Sequence, residues 1–343
     1  MLGLQSVAPQ RPSTYGIPHL ISIVIPVYQG ELTLGPLLDE IEPFVTESRT
    51  PDGHAFRVTE VILVFDDGPD ASAQTLRDLA RNREHVRAVW LSRNFGQHAA
   101  TLAGIASSGG DWIVTMDEDG QHDPRFIAAL LDVAMSEQSA VVYAKPTNAP
   151  PHGLLRNTAS KMAKWTLTKF VSRPEAGDYQ SYRLILGAVG RSVAAFSGAG
   201  VYLDVAIGWV AGRARVAPVE LRQGGRPSGY SVRRLFAHFL RMVLTSGTRG
   251  LRFVSALGIV FAFGGLVLAV VILIARLTGS VETQGWASTV VVVLLGFGAT
   301  LVSLGIIAEY IGVSVNMAMG KPPYVIMSDP ALGPLGRVRE PGK

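Results

Sequence analysis

Two groups of carboxylates follow short apolar runs of the sequence, and their residue types and spacing indicate chemistry. Asp66 and Asp67 come directly after VTEVILVF, and Asp117, Glu118 and Asp119 come directly after DWIVTM. A single group of this kind is as readily a helix cap or a turn, because Asp is favoured at both. Two groups, the second with three carboxylates in a row, repel one another unless a cation neutralises them. We therefore expect a cation site.

Any metal site in this chain must use oxygen or imidazole ligands, because the sequence contains no cysteine. Oxygen ligands favour Mg²⁺ or Mn²⁺, held partly by the protein and partly by the phosphates of a substrate. A nucleotide diphosphate supplies such phosphates. Neither a GxGxxG fingerprint nor a P-loop sequence follows any of the apolar runs, which disfavours a Rossmann dehydrogenase and a P-loop NTPase.

The elements that must position these carboxylates are five short runs rich in Val and Ile, which are typical of buried strands. They cover residues 20–27, 58–65, 86–91, 111–116 and 139–144. Helical periodicity lies between them, with Pro124 at the first position of one helix. Strand and helix in alternation predict an α/β fold with a doubly wound parallel sheet. Ligands of such sheets bind at the carboxyl ends of the strands, where both carboxylate groups lie.

The remaining composition divides the chain of 343 residues into two parts. The first 250 residues read as an ordinary globular mixture, and the apolar surplus lies between 253 and 308. Arginines cluster just before that surplus, which favours anionic lipid over nucleic acid as the partner. The N-terminus has no charged leader followed by an apolar run, so we expect no secretory signal.

Seven segments carry a family resemblance: ISIVIPVYQGE, VILVFDDGPD, VWLSRNFGQHAATLAGI, VTMDEDGQHDP, SYRLI, YLDVAIGW and GRPSGYSVRRL. Together they resemble glycosyltransferase family 2, and within it the dolichol-phosphate-mannose-synthase-like enzymes that charge polyprenyl phosphates. The resemblance runs in order from about residue 21 to 324. It implies a GT-A type of fold and transfer of one sugar from a nucleotide-sugar, a UDP-sugar being favoured over GDP-mannose, to polyprenyl phosphate.

The resemblance also implies roles for individual residues. The implied nucleotide-binding residues are Pro26, Tyr28, Asp66, Asp67, Asp117 and Lys145. The implied ligands of Mg²⁺ or Mn²⁺ are Asp117, Asp119 and Gln121, without Glu118. The implied acceptor-phosphate residues are Arg93, Ser181 and Arg183. For His98 and His122, packing or capping outweighs metal binding.

Two departures from the family pattern affect the donor pocket. Gln29-Gly30 stands where relatives usually carry Asn-Glu, so a carboxylate contact to the nucleotide is missing or is supplied by Glu31. Lys145-Pro146 stands where an arginine is common, and a lysine offers a point charge rather than a fork.

Three further residues are expected to act in catalysis. Arg222 and Arg226, in a Gly-rich loop, are suited to neutralise the charge of the leaving diphosphate, although a solvated turn is the alternative. Asp204 is the candidate base, and capping of the following helix is at least as good an interpretation. A phosphate acceptor is already anionic, so direct displacement at the anomeric carbon depends more on positioning than on a strong base.

The C-terminal third predicts a membrane anchor. Arg252 and Arg276 bracket 23 uncharged residues, and a second uncharged stretch covers 283–308, each longer than the ~20 residues that span the hydrocarbon core. A short connector predicts an antiparallel two-helix transmembrane hairpin. The five upstream arginines favour a cytoplasmic catalytic domain with both termini cytoplasmic. KPPYVIM is expected, by resemblance, to return as a short extended segment.

The expected organisation is an N-terminal extension (1–19), a GT-A catalytic domain (20–228), an interfacial amphipathic segment (229–252), two transmembrane helices (253–311) and a cytoplasmic C-terminal tail (312–343). The expected partners are a nucleotide-sugar, polyprenyl phosphate and the lipid bilayer, with a homo-oligomer left open. A processive polysaccharide synthase is disfavoured because a QxxRW motif is absent. A transferase with a different acceptor and a catalytically impaired scaffold stay open.

Overall fold

The computed structural model describes residues 17–148, 180–198, 201–222, 249–278 and 285–332. One nine-stranded sheet lies at its centre. The five predicted strands are present as β1 (His19–Val27), β3 (Ala55–Phe65), β4 (Val86–Leu91), β5 (Trp112–Thr115) and β6 (Val141–Pro146). The other strands are β2 (Ser48–Arg49), β7 (Arg183–Leu186), β8 (Arg215–Val219) and β9 (Ile326–Met327).

The sheet is mixed, so the prediction of a wholly parallel sheet was wrong. Its order is β8-β6-β7-β5-β1-β3-β4-β9, with β2 beside β3. The strands β5, β1, β3 and β4 are parallel to one another, but β7 lies antiparallel between β5 and β6, and β9 lies antiparallel on β4. The five predicted strands do run parallel to one another. The antiparallel strands β2, β7 and β9 have only two to four residues, too few for an apolar run to identify them.

Helices cover both faces of the sheet. They are α1 (Leu34–Ile41), α2 (Ser72–Asn82), α3 (Gln97–Ala106), α4 (Ile127–Ser136), α5 (Gly187–Phe196) and α6 (Leu203–Val210). Apolar side chains of α1, α2 and α4 form one buried cluster, and those of α3, α5 and α6 form a second on the opposite face. Alternation along β1 sends Ile23 into the first cluster and Val24 into the second, as the pleat of a strand requires.

The loops at the carboxyl ends of β1 and β3 pack closely. A Cβ on Gly68 would lie 1.7 Å from the carbonyl oxygen of Tyr28, so only glycine fits there. Asp67, beside it, has a φ of 51°. The two loops are thereby held together at the predicted ligand-binding edge.

Two long helices follow, α7 (Arg249–Leu277) and α8 (Trp286–Ala318), and they contact each other. Within the described residues, one segment, Leu295–Ala318, is long and apolar enough to cross a membrane. A shorter apolar segment, Val254–Leu268, lies in α7. The predicted end of the second span at 311 falls inside α8.

The chain returns from α8 to the sheet, as the resemblance implied for KPPYVIM. In β9, Met327 pairs with Trp90 and Ile326 with Leu91 of β4. Arg77 then binds the carboxylate of Asp329 in a bidentate manner, at 2.7 and 2.8 Å. The predicted C-terminal tail is therefore in part an edge strand of the sheet.

Candidate active site

The centre of the site is Asp117, two residues beyond β5. Its Oδ1 accepts a hydrogen bond from Gln97 Nε2 at 2.6 Å, and its Oδ2 accepts one from the Ser181 hydroxyl at 2.7 Å. Its backbone nitrogen donates to Nδ1 of His122 at 3.0 Å. The His122 ring is buried and stacks on Tyr182 at 4.8 Å. His122 therefore fixes the backbone of the acidic loop, in agreement with the predicted capping or packing role.

Asp119 lies beside Asp117 in the same loop, and its Oδ1 accepts a hydrogen bond from the backbone nitrogen of Gln121 at 3.1 Å. Burial raises the pKa of Asp119, and the nearby charge of Asp117 raises it further. A divalent cation would relieve both effects. Among the described residues, no group of three His, Cys, Asp or Glu side chains is arranged to hold a metal. A cation here would need substrate phosphate or water to complete its coordination.

Glu118 points away from this pair, towards the loop after β1. Its Oε2 accepts a hydrogen bond from the backbone nitrogen of Tyr28 at 3.0 Å, and its Oε1 accepts one from that of Gln29 at 2.9 Å. A Cβ on Gly30 would lie 2.8 Å from the same Oε2. Glu31 instead accepts a hydrogen bond from the backbone of Ala71 at 3.3 Å. The carboxylate at this loop therefore comes from Glu118.

Asp66 joins two loops beneath the surface. Its buried carboxylate accepts hydrogen bonds from the backbone nitrogens of Phe95 at 2.7 Å and Gly96 at 2.8 Å. Burial raises the pKa of Asp66, although these two hydrogen bonds oppose the change. Asp66 thereby ties the end of β3 to the loop after β4.

The other predicted nucleotide-binding residues, and the predicted acceptor-phosphate residue Arg93, lie at or near the carboxyl ends of the parallel strands. Pro26 is buried in β1, whereas Tyr28 after it is 44% exposed. Asp67 and Lys145 are exposed at the carboxyl ends of β3 and β6. Arg93 is exposed after β4, with its guanidinium over the Phe95 ring at 4.0 Å.

Arg183 and Asp204, predicted as acceptor-phosphate residue and base, form a buried ion pair with exposed fractions of 2% and 5%. Asp204 also accepts a hydrogen bond from the hydroxyl of Tyr143 at 3.0 Å. Arg183 donates to the hydroxyl of Thr115 at 3.1 Å, and Thr115 donates to the carbonyl of Ser181 at 2.5 Å. Burial lowers the pKa of Arg183. The two side chains therefore bind each other in the protein interior, and Thr115 links Arg183 to the backbone of Ser181.

Arg222 is the first residue of the Gly-rich loop. It binds Glu40 at 2.6 Å and Asp123 at 2.9 Å, and its backbone nitrogen donates to the carbonyl of Gln121. The arginine thus contacts the loop that carries Asp119. Arg226 lies outside the described residues.

A family model for glycosyl transferase family 2 matches residues 22–196, which include the acidic loop and Ser181. The chain belongs to glycosyltransferase family 2. A relative from Proteus mirabilis, undecaprenyl-phosphate 4-deoxy-4-formamido-L-arabinose transferase, is 31% identical over 92% of this chain and 95% of the relative. The transferase of the same name from Photorhabdus laumondii is 33% identical over 89% of this chain and 93% of its own.

The solved structures that match this chain have a lower sequence identity to it. Glucosyl-3-phosphoglycerate synthase from Mycobacterium tuberculosis, solved with Mn²⁺, uridine diphosphate and phosphoglyceric acid, is 20% identical. The match covers 67% of this chain and 78% of the other, with a TM-score of 0.48. The predicted membership of family 2 is thus confirmed by the family model and the curated relatives, and the chain is a glycosyltransferase.

Several residues of this family 2 site were missed from the sequence. Gln97 binds Asp117, and Thr115 binds the carbonyl of Ser181. Both lie inside segments that carry the family resemblance, but the resemblance implies no role for either. Asp123 and Glu40 hold Arg222. Asp123 had a local signal, because an aspartate before a proline often caps a helix. Its side chain caps the short helix Pro124–Phe126 by accepting a hydrogen bond from the backbone nitrogen of Arg125.

Proposed function

We propose that this glycosyltransferase moves a single sugar from a nucleotide-sugar to polyprenyl phosphate at the cytoplasmic membrane face, by metal-assisted direct displacement. The observation that carries the proposal is the extent of similarity to the undecaprenyl-phosphate transferases. It covers 92% of this chain, whereas the family model ends at residue 196. The similarity therefore includes the two long helices after the catalytic domain, which a transferase with a water-soluble acceptor does not need.

For the donor we propose a UDP-sugar, with GDP-mannose as the second candidate. Tyr28, Pro26 and Asp66 would line the pocket of the nucleotide base, with Asp67 at its rim. The names of the relatives make 4-deoxy-4-formamido-L-arabinose the first sugar to test. Lys145, at the end of β6, would lie beside the diphosphate as a point charge.

Asp117 and Asp119, with Gln121, would hold Mg²⁺ or Mn²⁺ together with the donor phosphates. When bound, such an ion neutralises the charge that develops on the leaving diphosphate. These residues fit a divalent cation because the carboxylates of Asp117 and Asp119 lie near each other and are partly exposed. Burial and the charge of Asp117 both raise the pKa of Asp119. Gln97 and Ser181 each bind one oxygen of Asp117 and would keep it oriented.

Direct displacement requires the acceptor phosphate in line with the bond that breaks. We propose that Arg93 and Ser181 hold that phosphate, the Ser181 hydroxyl turning from Asp117 to the acceptor when it binds, and that Arg222 and Arg226 close on the diphosphate. Arg183 and Asp204 are paired in the interior, so we propose that they position β7 and Ser181 indirectly. An anionic acceptor needs little deprotonation, and a buried, ion-paired Asp204 is poorly suited to accept a proton.

The return of the chain to the sheet supports an even number of membrane crossings. The helix α7 leaves the catalytic domain and α8 leads back into β9, which pairs with β4 of the same sheet. One crossing alone would place β4 and β9 on opposite sides of the bilayer. We therefore propose two spans, α7 and α8, with the catalytic domain and the segment after α8 on the cytoplasmic side.

A catalytically impaired scaffold is the second candidate function, motivated by the Gln29-Gly30 departure. The position of Glu118 weakens it, because a carboxylate already occupies the space beside Gly30. A transferase with another acceptor is weakened by the extent of similarity described above.

The test uses the full-length chain in detergent with undecaprenyl phosphate and a panel of UDP- and GDP-sugars, with Mn²⁺, Mg²⁺ or a chelator. We expect one metal-dependent glycolipid product carrying a single sugar. Asp119→Asn is the matched inactive control. Metal-dependent donor binding without any product would indicate another acceptor. No metal-dependent donor binding would favour the scaffold.

A further inference from the structure

Two aromatic side chains lie exposed on the catalytic domain, on the helices α5 and α6. Phe196 ends α5 and is 47% exposed, and Trp209 lies in the last turn of α6 and is 50% exposed. Their rings are stacked with centroids 6.4 Å apart. Val210, the next residue, is 43% exposed. We call these three residues the aromatic patch. Large aromatic residues in an exposed group indicate an interaction surface.

The end of α8 lies directly beside this patch. A Cβ on Gly198 would lie 3.2 Å from Cγ of Met317, so the chain just after α5 contacts the last turn of α8. Phe196 is two residues from Gly198, which places their Cα atoms at most ~7 Å apart. Met317 lies at the domain-side end of the candidate span Leu295–Ala318. The patch is therefore at the depth where that span ends.

Tyr324, in the segment just after α8, packs on the same face of the sheet. Buried residues of α5 and α6, such as Val193 and Ile207, belong to the cluster against which Tyr324 packs. The helices α1, α2 and α4 line the other face. The layer that carries the aromatic patch is thus the layer turned towards the end of the span. Lys321, exposed just beyond α8, adds a positive charge at this level.

We propose that the aromatic patch Phe196–Trp209–Val210 inserts into the headgroup region of the bilayer and fixes the tilt of the catalytic domain on the membrane. Tryptophan and phenylalanine are suited to this depth because an apolar ring meets the acyl boundary there. The proposal rests on the proposed function for the presence of a membrane. Two contacts, the span and the patch, would define an orientation that a single anchor leaves free.

The chain has no cysteine, so Val210→Cys creates one labelling site for a nitroxide. The labelled full-length protein is reconstituted into vesicles of phosphatidylethanolamine and phosphatidylglycerol. Accessibility of the label to O₂, which concentrates in the bilayer, is compared with accessibility to a water-soluble nickel chelate. The matched control is Arg81→Cys on α2, an exposed position on the opposite layer, with a side-chain exposure of 69%.

We expect the label at 210 to favour O₂ and the label at 81 to favour the nickel chelate. A label at 210 that favours the chelate as strongly as the one at 81 would overturn the proposal. Low accessibility to both agents would also overturn it, because a protein surface rather than lipid would then cover the patch.

A second arm separates this proposal from the proposed function. The double variant Phe196→Ser with Trp209→Ser should bind UDP normally and transfer to a short, water-soluble prenyl phosphate as the wild type does. Its transfer to undecaprenyl phosphate in vesicles should fall several-fold. Equal activity of variant and wild type in vesicles would count against the patch. A wild type without transferase activity, but with an O₂-favoured label at 210, would refute the proposed function and leave the patch standing.

Discussion

Glu118 binds the backbone of Gln29 across two neighbouring strand ends, with 2.9 Å between Oε1 and the Gln29 nitrogen. The contact joins the loop after β5 to the loop after β1, and the residues are 89 positions apart in the sequence. It turns the middle carboxylate of the acidic triplet away from Asp117 and Asp119. Those two residues are left facing the site, while Tyr28 is held in place at its rim.

The first prediction concerns this contact. Glu118→Gln should weaken UDP binding about three- to ten-fold, because its NH₂ group cannot accept one of the two backbone hydrogen bonds. Gly30→Ala should have a similar effect, since its Cβ would lie 2.8 Å from Glu118 Oε2. Titration calorimetry with UDP measures both.

The double variant Glu118→Ala with Gly30→Ala provides the control, because removal of the carboxylate relieves one of the close contacts of the methyl group and leaves those with the Leu34 side chain at 2.8 and 2.9 Å. Its effect should be smaller than the sum of the two single Ala substitutions. Strict additivity would contradict coupling between the two positions.

The second prediction is that Asp119→Asn abolishes transfer and leaves the fold intact. The substitution removes one charge from the proposed metal site, and neutralisation of the leaving diphosphate should fall with it. Product formation is measured beside thermal unfolding, with Asp78→Asn on the exposed surface of α2 as the control. Activity within a few-fold of wild type would mean that Asp119 holds no metal.

The third prediction concerns the Gly-rich loop. Arg222→Ala and Arg226→Ala should each lower turnover more than donor affinity, because a closing loop contributes mainly to the closed, reacting state. The matched control is Arg125→Ala, since Arg125 also binds Asp123 but has no proposed role in closure. A fall in donor affinity alone would identify Arg222 as a static binding element.

The fourth prediction is a pH dependence of stability from Asp123. Burial would raise the pKa of this carboxyl, but hydrogen bonds from Arg125 and Arg222 outweigh it and lower the pKa from 3.8 to about 2. A depressed pKa in the folded state stabilises it above pH 3.8, and this contribution disappears as the pH falls towards 2. Between these pH values, the free energy of unfolding in urea should therefore fall less for Asp123→Asn than for the wild type. Identical profiles for the two proteins would contradict the shift.

The fifth prediction concerns the segment after α8. Deletion of all residues after Gly250 should leave a domain that binds UDP with metal but transfers poorly to long-chain polyprenyl phosphate. The domain should also be less stable, because β9 no longer covers the edge of β4 and Arg77 loses Asp329. Transfer to a short prenyl phosphate should suffer less.

Asp329→Asn separates the edge strand from the membrane anchor. This variant retains both helices and removes the negative charge from the half-buried ion pair with Arg77. We expect the free energy of unfolding to fall by about 1–3 kcal/mol. Chemical denaturation measures it. Loss of UDP binding in the truncated domain but not in Asp329→Asn would show that the helices are needed for folding as well as for acceptor delivery.

The sequence by itself determined which residues gather at one edge of the sheet. Asp66 and Asp117 each follow a buried parallel strand, and parallel strands bring their carboxyl ends together. Local patterns were sufficient for this result, because a strand of Val and Ile and the residue after it are read from adjacent positions. The family followed from the same residues, and the family model confirmed it.

Only the tertiary structure decided which way the side chains at that edge turn and which strands surround them. Glu118 faces a backbone 89 positions earlier in the sequence, and Arg183 meets Asp204 because β7 is inserted between β5 and β6. β9 completes the edge of the sheet only after the chain has passed through α7 and α8. In each case the partner that lowers the free energy is distant in sequence. A charged or polar side chain is oriented by the donors and acceptors that folding brings within about 3 Å of it, and no local pattern specifies them.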